Sequence, residues 1–388
     1  MVSQQISAAT SPALEHPIRS RPKIPLMRPI VDEEMIQAAV DALRNERLVM
    51  GESVFKFEEE FARYCGTRHA ISTASGTAAL QIGLQALGIG PGDLVITTPF
   101  TFIASSNAVL HAGARPEFAD VEKTGFNLDP VEVGRKISKE TRAIVPVHLY
   151  GQPARMKEFR DLASEHGTRL VEDACQAHGS EISGKRAGSM GDVGCFSFYT
   201  SKNMTVAGDG GMIVTDDDTV AETAKSLRDC GRASKYTMSR IGYTSRLNTV
   251  NAAIGRVQLR KLDRWNLVRR RLASRYRKGL QDVGGITLPP EDNPGATSVY
   301  HLFVIRSKNR DELAKKLEAN GIESMVHYPV PSHLQTPYRR LYGYTEGMFP
   351  VSERLAGEVL SLPLYPEMPD EDVDRVCQVL RDNSTGQA

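Results

Sequence analysis

From about residue 30 the chain alternates amphipathic stretches with short apolar runs, the pattern of helices laid on both faces of a mostly parallel sheet. Apolar positions three and four apart predict helices over 32–45, 54–64 and 77–87. Short apolar runs predict seven strands, at 70–72, 94–97, 115–119, 143–147, 169–172, 195–198 and 211–215. The turn signals between them are strong, as in Gly88-Ile89-Gly90-Pro91-Gly92-Asp93. After Asn251 the texture changes. Ile254, Val257, Leu262, Trp265, Val268, Leu272 and Tyr276 fall mostly three or four apart and predict one long helix leading into a second unit. That unit is expected to hold a strand at 299–305, a helix at 311–320 closed by Gly321, and a last helix at 370–380. The expected organisation is a flexible extension over 1–23, a large α/β domain over 24–250, and the connecting helix with a smaller C-terminal α+β domain over 251–388.

Composition narrows the function classes. The 388 residues are 40% apolar and 24% charged, enough for a sizeable core, and 48 basic against 47 acidic residues leave a net charge of +1. Nucleic acid or an anionic membrane would call for a basic field that this balance lacks, so any anion is bound locally. Cys65, Cys175, Cys195, Cys230 and Cys377 are odd in number and form no CxxC pair. They are expected to be buried free thiols in a reducing compartment, with neither a disulfide framework nor a metal site. Residues 1–23 lack the apolar core of a secretory signal and no run reaches 18 apolar residues, which makes the cytoplasm the expected location.

The chemistry concentrates in a few motifs. In Ser197-Phe198-Tyr199-Thr200-Ser201-Lys202-Asn203 a single lysine follows a buried strand and precedes the glycine-rich turn Gly208-Asp209-Gly210-Gly211. A solvated loop lysine is the ordinary explanation. An amine in a desolvated pocket, by contrast, has a lowered pKa and can form a Schiff base with an aldehyde. Upstream, Glu172-Asp173-Ala174-Cys175-Gln176-Ala177-His178-Gly179 places an acid at the end of an apolar strand, where open α/β sheets bind ligands. Such an acid can pair with a pyridinium nitrogen, or simply cap a helix. Glu172 and Asp173 are adjacent, so their side chains point to opposite faces and only one can meet a cofactor. Ser75-Gly76-Thr77-Ala78-Ala79-Leu80 opens an amphipathic helix with small residues, which suits a phosphate as well as it suits plain capping by Ser75.

Taken together, SGTAAL, EDACQAHG, SFYTSKN with GDGG, and GYTSRLN resemble the DegT/DnrJ/EryC1/StrS family of sugar aminotransferases, over about residues 25–382 and in the family's order. The resemblance implies an aspartate aminotransferase-like fold (fold type I) and pyridoxal 5'-phosphate (PLP) as cofactor. It implies that Lys202 bonds the cofactor aldehyde and then shuttles a proton, that Asp173 holds the pyridine nitrogen, and that Gln176 reaches the ring hydroxyl. Gly76, Thr77 and Ser197 would hold the phosphate, and Phe102 would stack on the ring. Members that dehydrate sugars carry His at the lysine position, so Lys202 favours transamination. The family is dimeric and completes each site with the neighbouring chain through the segment here written Gly242-Tyr243-Thr244-Ser245-Arg246-Leu247-Asn248. Many members have Asn where this chain has Thr244, which leaves open whether Thr244, Ser245, Arg246 or Asn248 reaches the phosphate; Arg246 and Asn248 are the candidates carried forward. L-glutamate, leaving as 2-oxoglutarate, is the implied donor and a nucleotide-linked keto-sugar the acceptor.

Near the C-terminus, Val326-His327-Tyr328-Pro329-Val330-Pro331-Ser332-His333-Leu334-Gln335 is an extended, proline-fixed loop whose His327, Tyr328 and His333 can contact sugar hydroxyls or phosphate. It looks more like members that aminate C3 of the hexose than C4, on dTDP or UDP. Three other readings have some support in the sequence. Gly179-Ser180-Glu181-Ile182-Ser183-Gly184-Lys185 matches most of a P-loop, but Arg186 stands where Ser or Thr must reach magnesium, so a turn-rich hairpin is expected. Gly188, Gly191 and Gly194 precede a strand instead of a helix, against a nicotinamide site. A non-catalytic regulatory member of the same family is the alternative, and retention of Lys202 with Asp173 argues against it.

Overall fold

The computed structural model describes residues 24–382. The expected flexible extension at 1–23 lies outside the described residues.

All seven expected strands form and share one sheet: β1 (His69–Thr73), β2 (Leu94–Thr97), β3 (Arg115–Phe118), β4 (Thr141–Val145), β5 (Arg169–Asp173), β6 (Val193–Ser197) and β7 (Gly211–Thr215). Their order is β1-β7-β6-β5-β4-β2-β3. From β3 to β6 the pairs are parallel, while β7 runs against both β6 and β1. Six strands therefore share one direction. Side chains alternate across the sheet. Ile71, Val95, Val145, Val171, Cys195 and Ile213 face one core with Leu80, Leu84, Val109 and Ala224, whereas Ala70, Phe196 and Val214 face the other with Phe57 and Phe61. Covering on both faces is why these strands read as continuous apolar runs.

Strand limits shift where backbone chemistry overrides hydrophobicity. β4 stops at Val145 because Pro146 has no N–H to give the ladder. β6 starts at Val193 because Gly194 still pairs in register with Glu172. The expected strand at 299–305 forms only as β8 (Phe303–Arg306), paired antiparallel with β9 (Val359–Leu362). Its first residues are bound elsewhere: the Val299 N–H donates to the Gly151 carbonyl at 3.0 Å, and Tyr300 has φ +44°. The P-loop-like stretch is a hairpin, Glu181–Ile182 against Lys185–Arg186, turned by Ser183 and Gly184 at φ +50° and +79°.

The long helix is Thr249–Leu280. Its first half buries Leu259 and Leu262 against the Phe57–Phe61 side of the sheet. Its second half buries Leu272, Tyr276 and Leu280 in a separate core with Phe303, Ile305, Leu360, Val373 and Val376. One rigid element thus belongs to both cores. The helices Arg310–Ala319, followed by Gly321 at φ +69°, and Asp370–Arg381 complete the second core. Among the described residues no helix is long and apolar enough to cross a membrane.

Candidate active site

The carboxyl ends of β1, β2, β5 and β6 open onto a cavity of about 490 Å³. At the β1 end, Ser75 is extended at φ −165° and its Oγ accepts from the Ala78 N–H at 3.1 Å, capping the helix Gly76–Ala86. The first intrahelical bond runs from the Ala79 N–H to the Ser75 carbonyl. The earlier N–H groups of Gly76 and Thr77, both lining the cavity, are thereby left for an anion. Capping and cradle coexist, since different groups make them. Glycine is required at 76: a Cβ there would sit 2.6 Å from Ser197 Cβ and 2.9 Å from Cys175 Sγ.

At the β5 end the two adjacent acids part as the alternation demands. Asp173 lines the cavity, accepting from Ser105 Oγ at 2.6 Å and from the Cys175 N–H at 3.1 Å. Glu172, fully buried, accepts from the Gly188, Met190 and Gly191 N–H groups at 2.8, 2.5 and 2.6 Å. His148 Nε2 lies 2.9 Å from the same carboxylate, and His148 Nδ1 accepts from the Ala154 N–H, so Nε2 carries the proton. Glu172 is a structural staple and Asp173 the acid that lines the cavity.

Lys202 lines the cavity from the turn after β6, its N–H bonded to the Tyr199 carbonyl at 2.8 Å. Burial lowers its pKa, and the neighbouring Cys175 and Asp173 oppose that shift. Gln176 accepts from the Tyr150 N–H at 2.8 Å through Oε1 and donates through Nε2 to the Tyr328 hydroxyl at 3.1 Å. Ser197 and Phe102 also line the space; Phe102 is 55% exposed, its ring 5.8 Å from that of Tyr328.

The proline-fixed loop divides. His327 and Tyr328 line the cavity, with His327 Nδ1 2.8 Å from Ser361 Oγ and the Tyr150 hydroxyl donating to the His327 carbonyl. Burial, with Lys202 nearby, lowers the His327 pKa to about 4. His333 corrects the expectation that it contacts substrate. It is fully buried away from the cavity, Nε2 3.0 Å from Glu353 Oε1 and its ring 4.7 Å from that of Phe349. The turn Ser332–Leu334, anchored by the Ser332 N–H on the Pro99 carbonyl at 2.7 Å, carries it inward.

Arg246 and Asn248 do not line the cavity of their own chain. Arg246 pairs with Asp229, and Asn248 is exposed at the start of the long helix. Thr244 is exposed with Oγ1 3.3 Å from Cys230 Sγ, while buried Ser245 takes the Ala74 N–H on its carbonyl at 3.0 Å, beside the cradle. Sequence reasoning passed over Ser105, Tyr199, Asp209 and Cys175, all in the cavity wall. Tyr199 carried a signal, an aromatic three residues before the lysine that is 52% exposed. Ser105 carried none beyond being a small polar residue after Phe102.

The residues present suit a phosphorylated pyridine aldehyde: a helix start kept open by a required glycine, an acid with one face to the cavity, and a lysine lining the same space. Comparison with known proteins agrees. A family model described as the DegT/DnrJ/EryC1/StrS aminotransferase family matches residues 29–381. A Streptomyces venezuelae protein named dTDP-3-amino-3,4,6-trideoxy-alpha-D-glucose transaminase is 42% identical, over 93% of this chain and 96% of its own length. An Acidithiobacillus ferrooxidans protein named UDP-N-acetyl-3-dehydro-alpha-D-glucosamine 3-aminotransferase is 40% identical, over 90% and 93%. The crystal structure of S. venezuelae DesV in complex with a ketimine intermediate superposes with a TM-score of 0.90 at 42% identity, covering 94% of this chain and 99% of that one. Structures of the same fold have been solved in PLP and PMP forms.

Proposed function

This chain belongs to the DegT/DnrJ/EryC1/StrS aminotransferase family, and we propose that it moves an amino group from L-glutamate to a nucleotide-linked 3-keto-hexose, with Lys202 as the cofactor lysine. It is a PLP-dependent nucleotide-sugar aminotransferase. The observation that carries the residue assignment is the convergence of Lys202, Asp173 and the Gly76–Thr77 helix start on one cavity. The choice of C3 draws on the two relatives above, whose names place the amine there on a dTDP and on a UDP sugar.

When bound, PLP supplies an aldehyde that condenses with amines and a ring that takes up the electrons of a broken C–H bond. Gly76 and Thr77, with Ser197, would hold its phosphate at the positive end of the helix. The Asp173 carboxylate keeps a proton on the ring nitrogen, and the Ser105 hydroxyl orients that carboxylate. Gln176 presents its remaining amide hydrogen to the ring hydroxyl. Phe102, exposed on the cavity wall, would stack on the ring. The Lys202 amine takes the proton from the donor's α-carbon and returns it to another carbon, roles that call for the lowered pKa its burial produces. His327 and Tyr328 face the sugar.

The working unit is a homodimer in which Arg246 and Asn248 reach the partner's phosphate. In support, both lie outside their own chain's cavity, and the adjoining loop exposes Tyr236 at 83% and Ile241 at 93%. The test is incubation of the protein with glutamate and a panel of 3-keto and 4-keto nucleotide sugars, reading product mass and amine position. Amination at C3 with release of 2-oxoglutarate is expected. Amination at C4 alone, or only of free keto acids, would overturn the assignment.

A further inference from the structure

The residue after Lys202 anchors a buried polar network. Asn203 is 4% exposed; its Nδ2 donates to Asn266 Oδ1 at 2.9 Å and to the Val299 carbonyl at 3.1 Å, and its Oδ1 lies 3.2 Å from His301 Nδ1. Asn266 Nδ2 donates in turn to the His178 carbonyl at 2.8 Å. That bond fixes Asn266 Oδ1 as an acceptor and so orients both amides. With Asn203 Oδ1 accepting, His301 Nδ1 carries the proton.

The same helix holds the network from a second position. Arg269, one turn beyond Asn266, is buried and donates to the carbonyls of Tyr300, His301 and Leu364 at 3.3, 3.4 and 3.0 Å. No carboxylate pairs with it among the described residues. Gly151 closes the other side of this segment, where a Cβ would lie 2.8 Å from the His301 nitrogen. The segment 299–301 is therefore gripped between the long helix and the turn at Gly151, and Asn203 is the link from that grip to the lysine.

Charge follows geometry here. Burial holds the His301 pKa well below its ordinary value, and Lys202, Arg269, His327 and His178 all push the same way. The titratable groups facing Lys202 are Asp173 and Cys175, which favour its charged form, and the rings of His178, His301 and His327. An imidazolium beside the lysine would depress its amine further and disturb its proton traffic.

We infer that Asn203, acting with His301, is a positioning residue for Lys202: an uncharged amide that locks the backbone after the lysine and fixes the tautomer of the adjacent imidazole. The inference rests on the reading of Lys202 as the cofactor lysine. Residue type matters because both halves of the amide are used. Aspartate would set acceptors against Asn266 Oδ1 and the Val299 carbonyl, and an apolar side chain would leave the His301 N–H and that carbonyl unpaired.

The test is a pH titration of the absorbance of the lysine-bound cofactor in the holoenzyme, wild type against Asn203→Asp, with Lys202→Ala as control. A new carboxylate there is expected to raise the midpoint by about one pH unit, the effect of an opposite charge nearby. It is also expected to lower kcat at an unchanged KM for the sugar. A wild type whose absorbance Lys202→Ala does not remove would overturn the cofactor reading and the inference with it. A normal absorbance with an unmoved midpoint in Asn203→Asp would overturn the inference alone. Should that variant fail to fold, histidine 15N NMR of the wild-type holoenzyme decides, the resonance being assigned by its loss in His301→Gln. A neutral His301 protonated on Nδ1 is expected; a charged ring or a proton on Nε2 overturns the inference.

Discussion

The two walls of the cavity are built on different principles. On the cofactor side, each functional group sits at or just past the end of a sheet strand: Gly76 and Thr77 after β1, Asp173 at the end of β5, Ser197 and Lys202 at and after β6. The opposite wall is a loop, Val326 to Gln335, in which His327 meets the cavity and His333, six residues on, is buried against Glu353. Strand ends inherit their direction from a period of two and from sheet register. A loop has no such period, so residue type and spacing do not say which way a side chain turns. Under the proposed function, the cofactor chemistry is placed where the backbone is over-determined and the substrate contacts where it is not.

The largest effect is expected on the strand-end wall. Lys202→Ala should lower kcat by roughly 10⁴-fold, the upper range for removal of a proton-transferring group, and abolish the lysine-bound absorbance. Circular dichroism and melting should stay close to wild type, because Lys202 serves no core. Retention of more than a tenth of the turnover would break the contrast between the walls at once.

Next come the adjacent acids. Asp173→Asn should cost about 10²-fold in kcat with little change in stability, as for loss of one preorganised electrostatic partner. Glu172→Gln, at the neighbouring position, replaces an oxygen that accepts backbone N–H groups with an NH₂ that cannot. It should destabilise the fold by about 3 kcal/mol in urea unfolding. If the two substitutions gave the same phenotype, the separation of a structural acid from a cavity acid would fail.

These acids also mark how far the sequence could be read. All seven strands and the cavity end of the sheet were legible, since strands covered on both faces appear as apolar runs and ligands collect at carboxyl ends. Strand alternation said that one of Glu172 and Asp173 faces the cofactor without saying which; the glycine-rich loop Gly188–Gly191, whose N–H groups surround Glu172, decides it through a contact 16 to 19 residues away. His333 was misread for want of any local sign that Glu353 would meet it. The start of the strand expected at 299–305 was lost because Gly151 and Asn203, far away in sequence, claim the backbone of Val299. What escaped was long-range pairing of polar groups, which leaves no periodicity.

Within the loop wall the two histidines should separate cleanly. His327→Ala is expected to raise KM for the nucleotide sugar about tenfold, the loss of one hydrogen bond of about 1.4 kcal/mol, with melting little changed. His333→Ala should leave KM unaltered and destabilise the fold by about 2 kcal/mol, through the cavity beside Phe349 and the lost hydrogen bond to Glu353, whose carboxylate keeps the Gly347 and Phe349 N–H groups. A rise in KM for His333→Ala would return it to the substrate side.

Acid pH gives the smallest effect near neutrality and tests the same wall without mutation. His327 is held at about 4 in the folded chain, against an ordinary value of 6.5, by burial and the nearby Lys202. The unfolded chain therefore binds more protons between those two values, so stability rises with pH across that window. The contribution of neutral His327 is fully present above about pH 6.5 and is lost as pH falls toward about 4. His178, held at about 3 by burial, adds a loss of the same sign. Glu122, pushed up to about 7 by burial, acts in the opposite direction between about 4.5 and 7, so the readout is the difference between variants: below about pH 6.5 the melting temperature of the wild type should fall more steeply than that of His327→Ala. An unaltered slope in that variant would mean that His327 titrates alike in the folded and the unfolded chain, and that burial in the loop wall does not hold the ring neutral.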